Sequence, residues 1–335
     1  GWRKPRVPSL RSRLSAPAQG SIAVLPFANL GGGADTEYLG EGMADALMAL
    51  LETRPGLRVA ARSSTFQYKG RQVDARQVAR ELHVTSVLEG SVRPDGEVVK
   101  VHAQLVDGRD GLTIWSQSFE RRRNETPVIL HGIAGGVAGA LRVSGPSPLY
   151  VPDQETQELY LRGVYLRGQR DEASRKKGLE LLESAAGRDS RYAPALAAFA
   201  ASCANEAFHS APGYRQLAQK AQVYARRALA VDEGSVKALY ALAWVTWFHN
   251  RDWAEAEETF RKALALNPNH AATHNLYALG LSSRGRFGEA IAEAQRAREL
   301  DPAAYTVSTD LGLIYYLARR FDDGERFARS VLGFS

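Results

Sequence analysis

The sequence predicts an α/β mixed-sheet domain followed by an all-α array of helical hairpins. Two observations carry this reading. Over residues 21–145, helical apolar spacing alternates with short strand-like runs in the order β-α-β-α-β-β-β-α. From about residue 155 the spacing is helical throughout, and marker residues recur 34 positions apart. Composition agrees: 335 residues with 44% hydrophobic and 24% charged are enough for two cores and exclude wholesale disorder. The single Cys203 excludes a disulfide framework and any metal site built from several thiolates.

The first strand is Ser21-Ile-Ala-Val-Leu-Pro26-Phe, a short apolar run closed by a proline. A glycine loop, Asn29–Gly33, leads into a helix over Glu37–Thr53 with Leu39, Met43, Leu47, Leu50 and Leu51 on its inner side. Pro55-Gly56 stops that helix, and Leu57–Ala61 reads as the second strand. Asp74–Leu82 is a shorter helix with Asp74 as its N-cap and Val78 and Leu82 facing inward. The period then changes to two, giving strands over Ser86–Arg93, Glu97–Leu105 and Leu112–Glu120. Pro94-Asp-Gly96 and Asp107–Gly111 supply the turns between them. A last helix covers Thr126–Arg142. The Gly31–Gly33 loop is not a phosphate cradle. It lacks both G-x-G-x-x-G spacing and a following Gly-Lys-Ser/Thr, and Asp35 and Glu37 put negative charge where a phosphate would sit.

Charge is concentrated at one end. The formal balance is +6, and residues 1–20 hold Arg3, Lys4, Arg6, Arg11 and Arg13 with no acid, leaving the rest nearly neutral. With Pro5, Pro8 and Pro17 this stretch reads as a basic Pro/Ser-rich linker. Beside a membrane span, such a cluster contacts an anionic membrane surface. The longest apolar run, Ala238–Phe248, is too short to cross a bilayer. With no initiator Met and no signal-peptide pattern, the chain is expected to be a fragment of a longer protein.

Six motifs occur in order in the first domain: Ile22-Ala-Val-Leu-Pro-Phe-Ala-Asn29, Glu41-Gly-Met43, Arg62-Ser-Ser-Thr-Phe66, Tyr68-Lys-Gly70, Val87-Leu-Glu-Gly-Ser91 and Ile114-Trp-Ser116. Together they resemble the TolB amino-terminal-domain-like region of bacterial signalling proteins. That resemblance implies a module beyond a membrane span, with a winged-helix regulator, a class III nucleotide cyclase or a Ser/Thr kinase on the other side. It implies tetratricopeptide repeats after the domain, and it carries over no catalytic residue. A periplasmic position follows if the usual architecture holds, and a cytoplasmic one otherwise. Arg62, Ser63 and Ser64 lie just past a strand end, where ligands often sit in α/β sheets, and are secondary binding candidates.

In the second half, Trp253, Phe287 and Phe321 are 34 apart, as are Ala256 and Ala290, Ala263 and Ala297, and the Leu-Asn-Pro268 and Leu-Asp-Pro302 ends. This resembles the tetratricopeptide repeat and implies a solenoid. Earlier blocks over Thr156–Asp189 and Tyr192–Asp232 are degenerate, and Trp244 departs from the pattern by occupying a small-residue position. The domains read as linker 1–20, α/β domain 21–145, linker 146–154 and about four and a half repeats over 155–335. Without a polar capping helix the last repeat exposes an inner face, so the repeats are expected to continue or to be covered by a partner.

Counting along the repeat, the concave face draws on Val245, Phe248 and His249, then Asn275, Leu279 and Ser282, then Thr309, Leu313 and Tyr316. Such a lining, apolar with little charge, suits a protein or peptide partner rather than an acidic tail. No catalytic constellation emerges. His270 and His274 are four apart but lack the Glu of H-E-x-x-H, and no G-x-S-x-G elbow is present. No cofactor or metal is expected. The reading is a non-catalytic interaction or sensory region of a bacterial signalling protein, with self-association left open. The alternative is small-molecule sensing through the α/β domain. Nucleic-acid binding by the folded part is disfavoured because the basic charge lies in residues 1–20.

Overall fold

A computed structural model describes residues 20–31, 36–54, 56–71, 73–143, 150–169, 171–209 and 213–332. The basic segment 1–19, glycines 32 and 33 of the first loop, and part of the connection after His209 lie outside the described residues.

The sheet contains β1 (Gly20–Val24), β2 (Ala28–Asn29), β3 (Leu57–Val59), β4 (Ser86–Asp95), β5 (Val98–Asp107) and β6 (Thr113–Arg122), in the order β3-β1-β4-β5-β6 with β2 paired to β4. β1 runs parallel to both β3 and β4, in register Ile22↔Val59 and Ile22↔Ser86. β4, β5 and β6 follow as antiparallel neighbours. All five β1 residues are buried because helices cover both faces there. Ile22 and Val24 meet α1 (Glu37–Glu52) and α4 (Thr126–Ala140), while Ala23 and Leu25 meet α3 (Ala75–Glu81). Asp74 caps α3, accepting from the Arg76 amide at 2.8 Å.

Two elements depart from the expected order. β2 has two residues, and α2 (Arg62–Phe66) is a five-residue helix directly after β3. Both are too short to imprint a period on the sequence.

Five antiparallel helix pairs follow: α5 (Gln154–Arg167) with α6 (Glu172–Arg188), α7 (Ala193–His209) with α8 (Tyr214–Val231), α9 (Val236–Trp244) with α10 (Trp253–Leu266), α11 (Ala271–Ser283) with α12 (Phe287–Leu300), and α13 (Tyr305–Leu317) with α14 (Phe321–Leu332). Small residues set their spacing. Ala218, Ala221, Ala225 and Ala228 on α8 are all fully buried, so neighbouring backbones approach closely.

The Trp244 irregularity has a local cause. From Val245 to Asn250 the helix winds as a π turn, which absorbs one extra residue. Measured from the helix start, Ala243 stands where Ala278 and Gly312 stand in the next two pairs, and Ala243 is fully buried. The turn closes at Arg251 with φ of 59°, and Trp253 then resumes the 34-residue register. Trp244 points instead into a cluster with Tyr214 and Phe248.

One apolar cluster runs from Ile22 and Leu88 in the sheet, through Tyr160 and Phe199, to Ile314 on α13. The α/β domain and the helical array therefore share a core. At their junction α1 lies on α5, and a Cβ on Gly42 would stand 2.9 Å from the Leu161 carbonyl oxygen. Beside it the Tyr38 hydroxyl donates to Glu158 at 3.3 Å, with Arg162 over the Tyr38 ring.

Candidate functional site

Acidic residues recur along α1 at Glu37, Glu41, Asp45 and Glu52, spacing that places them along one side of the helix. Each of the first three is paired. Lys69 reaches Glu37 at 2.8 Å and Glu41 at 2.6 Å, and the Glu37 carboxyl is held below its ordinary value by its bond to Lys69. The Arg62 Nε donates to both Asp45 oxygens at 2.9 Å, and its guanidinium lies over the Phe66 ring at 3.8 Å.

α2 thereby becomes a fixed platform, and the array comes back to meet it. The buried Asp301 carboxylate, at the end of α12, accepts from the Ser64 hydroxyl at 2.7 Å and from the Ser63 hydroxyl. Arg62, Ser63 and Ser64, read from sequence as ligand candidates, are thus occupied by the chain itself. Arg62 orders α2, and the two serines hold the fourth helix pair.

The α/β domain consequently stands in the curve of the array, which defines the array's inner side. Burial raises the Glu52 carboxyl above its ordinary value, with Lys237 on α9 as the opposing charge. Four polar residues mark this side at intervals of 35: Asn205, Tyr240, Asn275 and Asp310. The Tyr240 hydroxyl donates to Asn205 at 2.6 Å, and the Asn275 amide donates to Asp310 at 2.7 Å. The Asn275 Oδ1 is buried with no hydrogen-bond donor among the described residues.

The eight array candidates do not form one continuous lining. Asn275 lies on the polar series just described. Phe248 packs against the core, its carbonyl accepting from Tyr214, and His249 lies beside the Tyr214 ring. Leu279 packs against the core, and Ser282 is buried with its hydroxyl on the Leu279 carbonyl. Thr309 and Tyr316 line a separate apolar cleft of about 360 Å³ between α13 and α14, shared with Tyr305, Phe321 and Phe327. Leu313 is exposed on α13, and Val245 is fully buried. Asn205, Tyr240, Asp301 and Asp310 were missed. The signal for Asn205, Tyr240 and Asp310 was polar side chains on otherwise apolar helices, at a spacing one residue longer than the main repeat, whereas Asp301 lies outside that series.

The α/β domain carries a second feature, an open cleft of about 1130 Å³ where β1 gives way to β2. Leu25, Phe27, Lys69, Glu89, His102 and Gln104 are among its walls. The Glu89 carboxylate accepts from Gln104 at 2.6 Å.

Three further titratable side chains in the array are accounted for by capping, pairing or burial. His270 caps α11, accepting from the Thr273 amide, and burial pushes its imidazole down to about 4. His274 is buried between Glu293 and the Pro268 carbonyl. Cys203 is fully buried, and burial pushes its thiol up to about 12. No group of three or more His, Cys, Asp or Glu suited to a metal occurs among the described residues. No helix among them is long and apolar enough to cross a membrane.

The fold defines an α/β module joined to an array of helical hairpins of tetratricopeptide type. Residues 18–134 match the family model described as HilA/YgeH-like transcriptional regulator, second domain. A protein of Rhizobium meliloti (strain 1021) that carries an adenylate cyclase name is 39% identical over 127 residues, 38% of this chain. The chain spans 22% of that relative's length. Among solved structures, a thermophilic TPR protein of Thermus thermophilus aligns with 53% of this chain and 90% of its own, at 18% identity and a TM-score of 0.44. TolB from Acinetobacter baumannii aligns with 36% of this chain and 28% of its own, at 16% identity and a TM-score of 0.28.

Proposed function

We propose that this chain is the non-catalytic interaction region of a bacterial signalling or regulatory protein, and that the part of the array's inner side not covered by the α/β domain takes a protein or peptide in extended form. One observation carries the reading: the Asn275 Oδ1 is buried without a donor in a series of polar side chains. A buried acceptor of this kind costs about 1–3 kcal/mol unless something donates to it. A peptide main-chain N–H would supply that donor once the half-buried Asn275 side chain turns its oxygen outward, between the half-buried Tyr240 and Asp310. Tyr316 and Thr309, in the terminal cleft, would hold an apolar side chain of the same ligand or a second one.

The test is selection from a displayed random-peptide library on the whole chain, followed by affinity measurement of the enriched peptides. Asn275→Ala together with Tyr316→Ala should lower affinity at least tenfold, about 1.4 kcal/mol. Unchanged affinity would remove the inner side from consideration.

A second reading has its own support. The α/β cleft is large enough for a metabolite, and its walls mix apolar and charged side chains, as ligand sites do. A small-molecule sensing role would use this cleft rather than Arg62–Ser64. A thermal-shift screen of metabolites, repeated on Glu89→Gln, separates the two readings. Membrane attachment belongs to the same proposal: the resemblance of residues 21–143 to signalling modules and the basic residues 1–20 support it. Binding of the chain to anionic but not neutral vesicles, abolished by removing residues 1–20, is the expected result.

A further inference from the structure

Within the array, α7, α9, α11 and α13 each lie against both helices of the pair before them. Each pair therefore makes a groove, and the occupant of each of these grooves is a helix. α13 shows what such an occupant presents. Its buried residues Val307, Leu311, Ile314 and Tyr315 form a stripe at i, i+4, i+7 and i+8, and the Tyr315 hydroxyl accepts from Gln295 on α12 at 2.9 Å.

The cleft between α13 and α14 occupies the same place in the fifth pair, with no helix against it among the described residues. Its chemistry departs from that of the groove one repeat earlier. Ala271, Ser282 and Glu293 of the fourth pair give way, 34 positions on, to Tyr305, Tyr316 and Phe327. Tyr305 is 81% exposed, Tyr316 66% and Phe321 58%, so the enlarged walls face solvent. The floor changes in the opposite sense. Ala278 and Ala290 become Gly312 and Gly324, and a Cβ on Gly312 would meet nothing nearer than Phe327 at 4.0 Å. Aromatic walls around a hollow floor are how association surfaces seat a large apolar side chain, and a clustered apolar patch of this kind marks a binding surface.

We propose that this end groove docks an amphipathic helix of a partner protein, lying as α13 lies on the fourth pair. The partner helix carries large apolar residues at i, i+4, i+7 and i+8, one of them seated in the hollow over Gly312 and Gly324. Arg326 and Arg329 on α14 pair with Asp323 and Glu325 of the same helix, so the contact is chiefly apolar. A second copy of this chain fits the groove poorly. Two hollow faces set against each other leave both floors empty, and no other helix among the described residues exposes an apolar stripe. The inference rests on the interaction reading of the array, but not on Asn275.

The test pans the whole chain against a displayed library of alanine-based helical peptides randomised at those four positions. Enriched peptides are then measured by fluorescence anisotropy and circular dichroism. Large apolar residues should be enriched at the four positions, and the free peptides should gain helix on binding. Gly312→Leu and Gly324→Leu, which fill the hollow, should each lower affinity at least about tenfold. Both glycines lie inside helices, where leucine is the better helix former, and a Cβ on Gly324 stands in ordinary contact with Tyr315 at 3.4 Å. Tyr316→Ala changes an exposed side chain, keeps the test open if a leucine variant misfolds, and should show the same loss. Asn275→Ala should leave affinity within about twofold, which separates failure here from failure of the inner-side reading. Absence of enrichment, peptides that tolerate a central proline, or affinity unchanged by the cleft variants would overturn the proposal. A native chain that sediments as a dimer, and as a monomer after Gly324→Leu, would assign the face to a second copy and overturn it as well.

Discussion

Removing the Asp301 carboxylate tests the contact that returns the array to the α/β domain. Asp301 is 6% exposed and Ser64 1%, so neither group falls back on bulk water when the other is removed. A hydrogen bond to a charged acceptor is worth about 1.5–3 kcal/mol, and an orphaned buried hydroxyl costs about 1–3 kcal/mol. Asp301→Ala should therefore destabilise by about 3–4 kcal/mol, since it loses both serine bonds and strands Ser64. Ser64→Ala should cost about 1.5–3 kcal/mol, with the carboxylate keeping Ser63. In the double variant the shared bond is lost only once, so the two effects should fall short of additivity by about 1.5–3 kcal/mol. Urea unfolding monitored by tryptophan fluorescence and circular dichroism measures this, and the continuous core predicts one transition for both probes. A coupling below about 0.5 kcal/mol, the additivity expected of distant sites, would refute the clasp.

Three further outcomes follow from named contacts. Gly42→Ala lies inside α1, where alanine ordinarily stabilises a helix by about 1 kcal/mol; here the Leu161 carbonyl blocks its Cβ, so thermal unfolding should show a loss of about 1–3 kcal/mol, and a gain would disprove the close approach. His270 is depressed from 6.5 to about 4, so the unfolded chain binds more protons between those values and stability should fall as pH drops from 6.5 to 4. His270→Asn keeps a cap and should flatten that part of the pH profile by about 1–3 kcal/mol, measured by urea midpoints. Cys203, fully buried with a raised thiol, should resist an aromatic disulfide reagent at pH 8 in the native chain and react at once in denaturant; rapid native labelling would contradict its burial.

Much of the fold was legible because it is written in local periods. Val24 lies in the short apolar run read as the first strand, Leu47 and Leu105 sit where helical and two-residue spacing placed them, and Asp74 caps its helix as its position implied. The repeat markers Trp253, Phe287 and Phe321 begin α10, α12 and α14. What escaped was either short or non-local. α2 spans too few residues to show a face, and the π turn after Trp244 looks from sequence like a broken repeat. The candidate site suffered most. Ser64 and Asp301 are 237 residues apart, and no local signal links a serine after a strand to an aspartate before a proline. Polar residues at intervals of 35 were also present in the text of the chain, yet the stronger period of 34 drew the lining one turn away from Asn205 and Tyr240.

The Ser64–Asp301 contact also changes how the array should fold. In an open stack of repeats each unit feels only its neighbours, so stability accumulates step by step along the chain. Here a chain segment of more than two hundred residues is closed like a buckled strap. Closing such a loop costs entropy that grows only slowly with its length, but it must be met before the contact gives anything back. The buckle is therefore expected to form late, once four hairpins are stacked and α2 is in place. Its loss by mutation should then quicken unfolding far more than it slows folding. Deleting the fifth hairpin would leave this closure intact, whereas deleting the fourth would open the strap and expose α2.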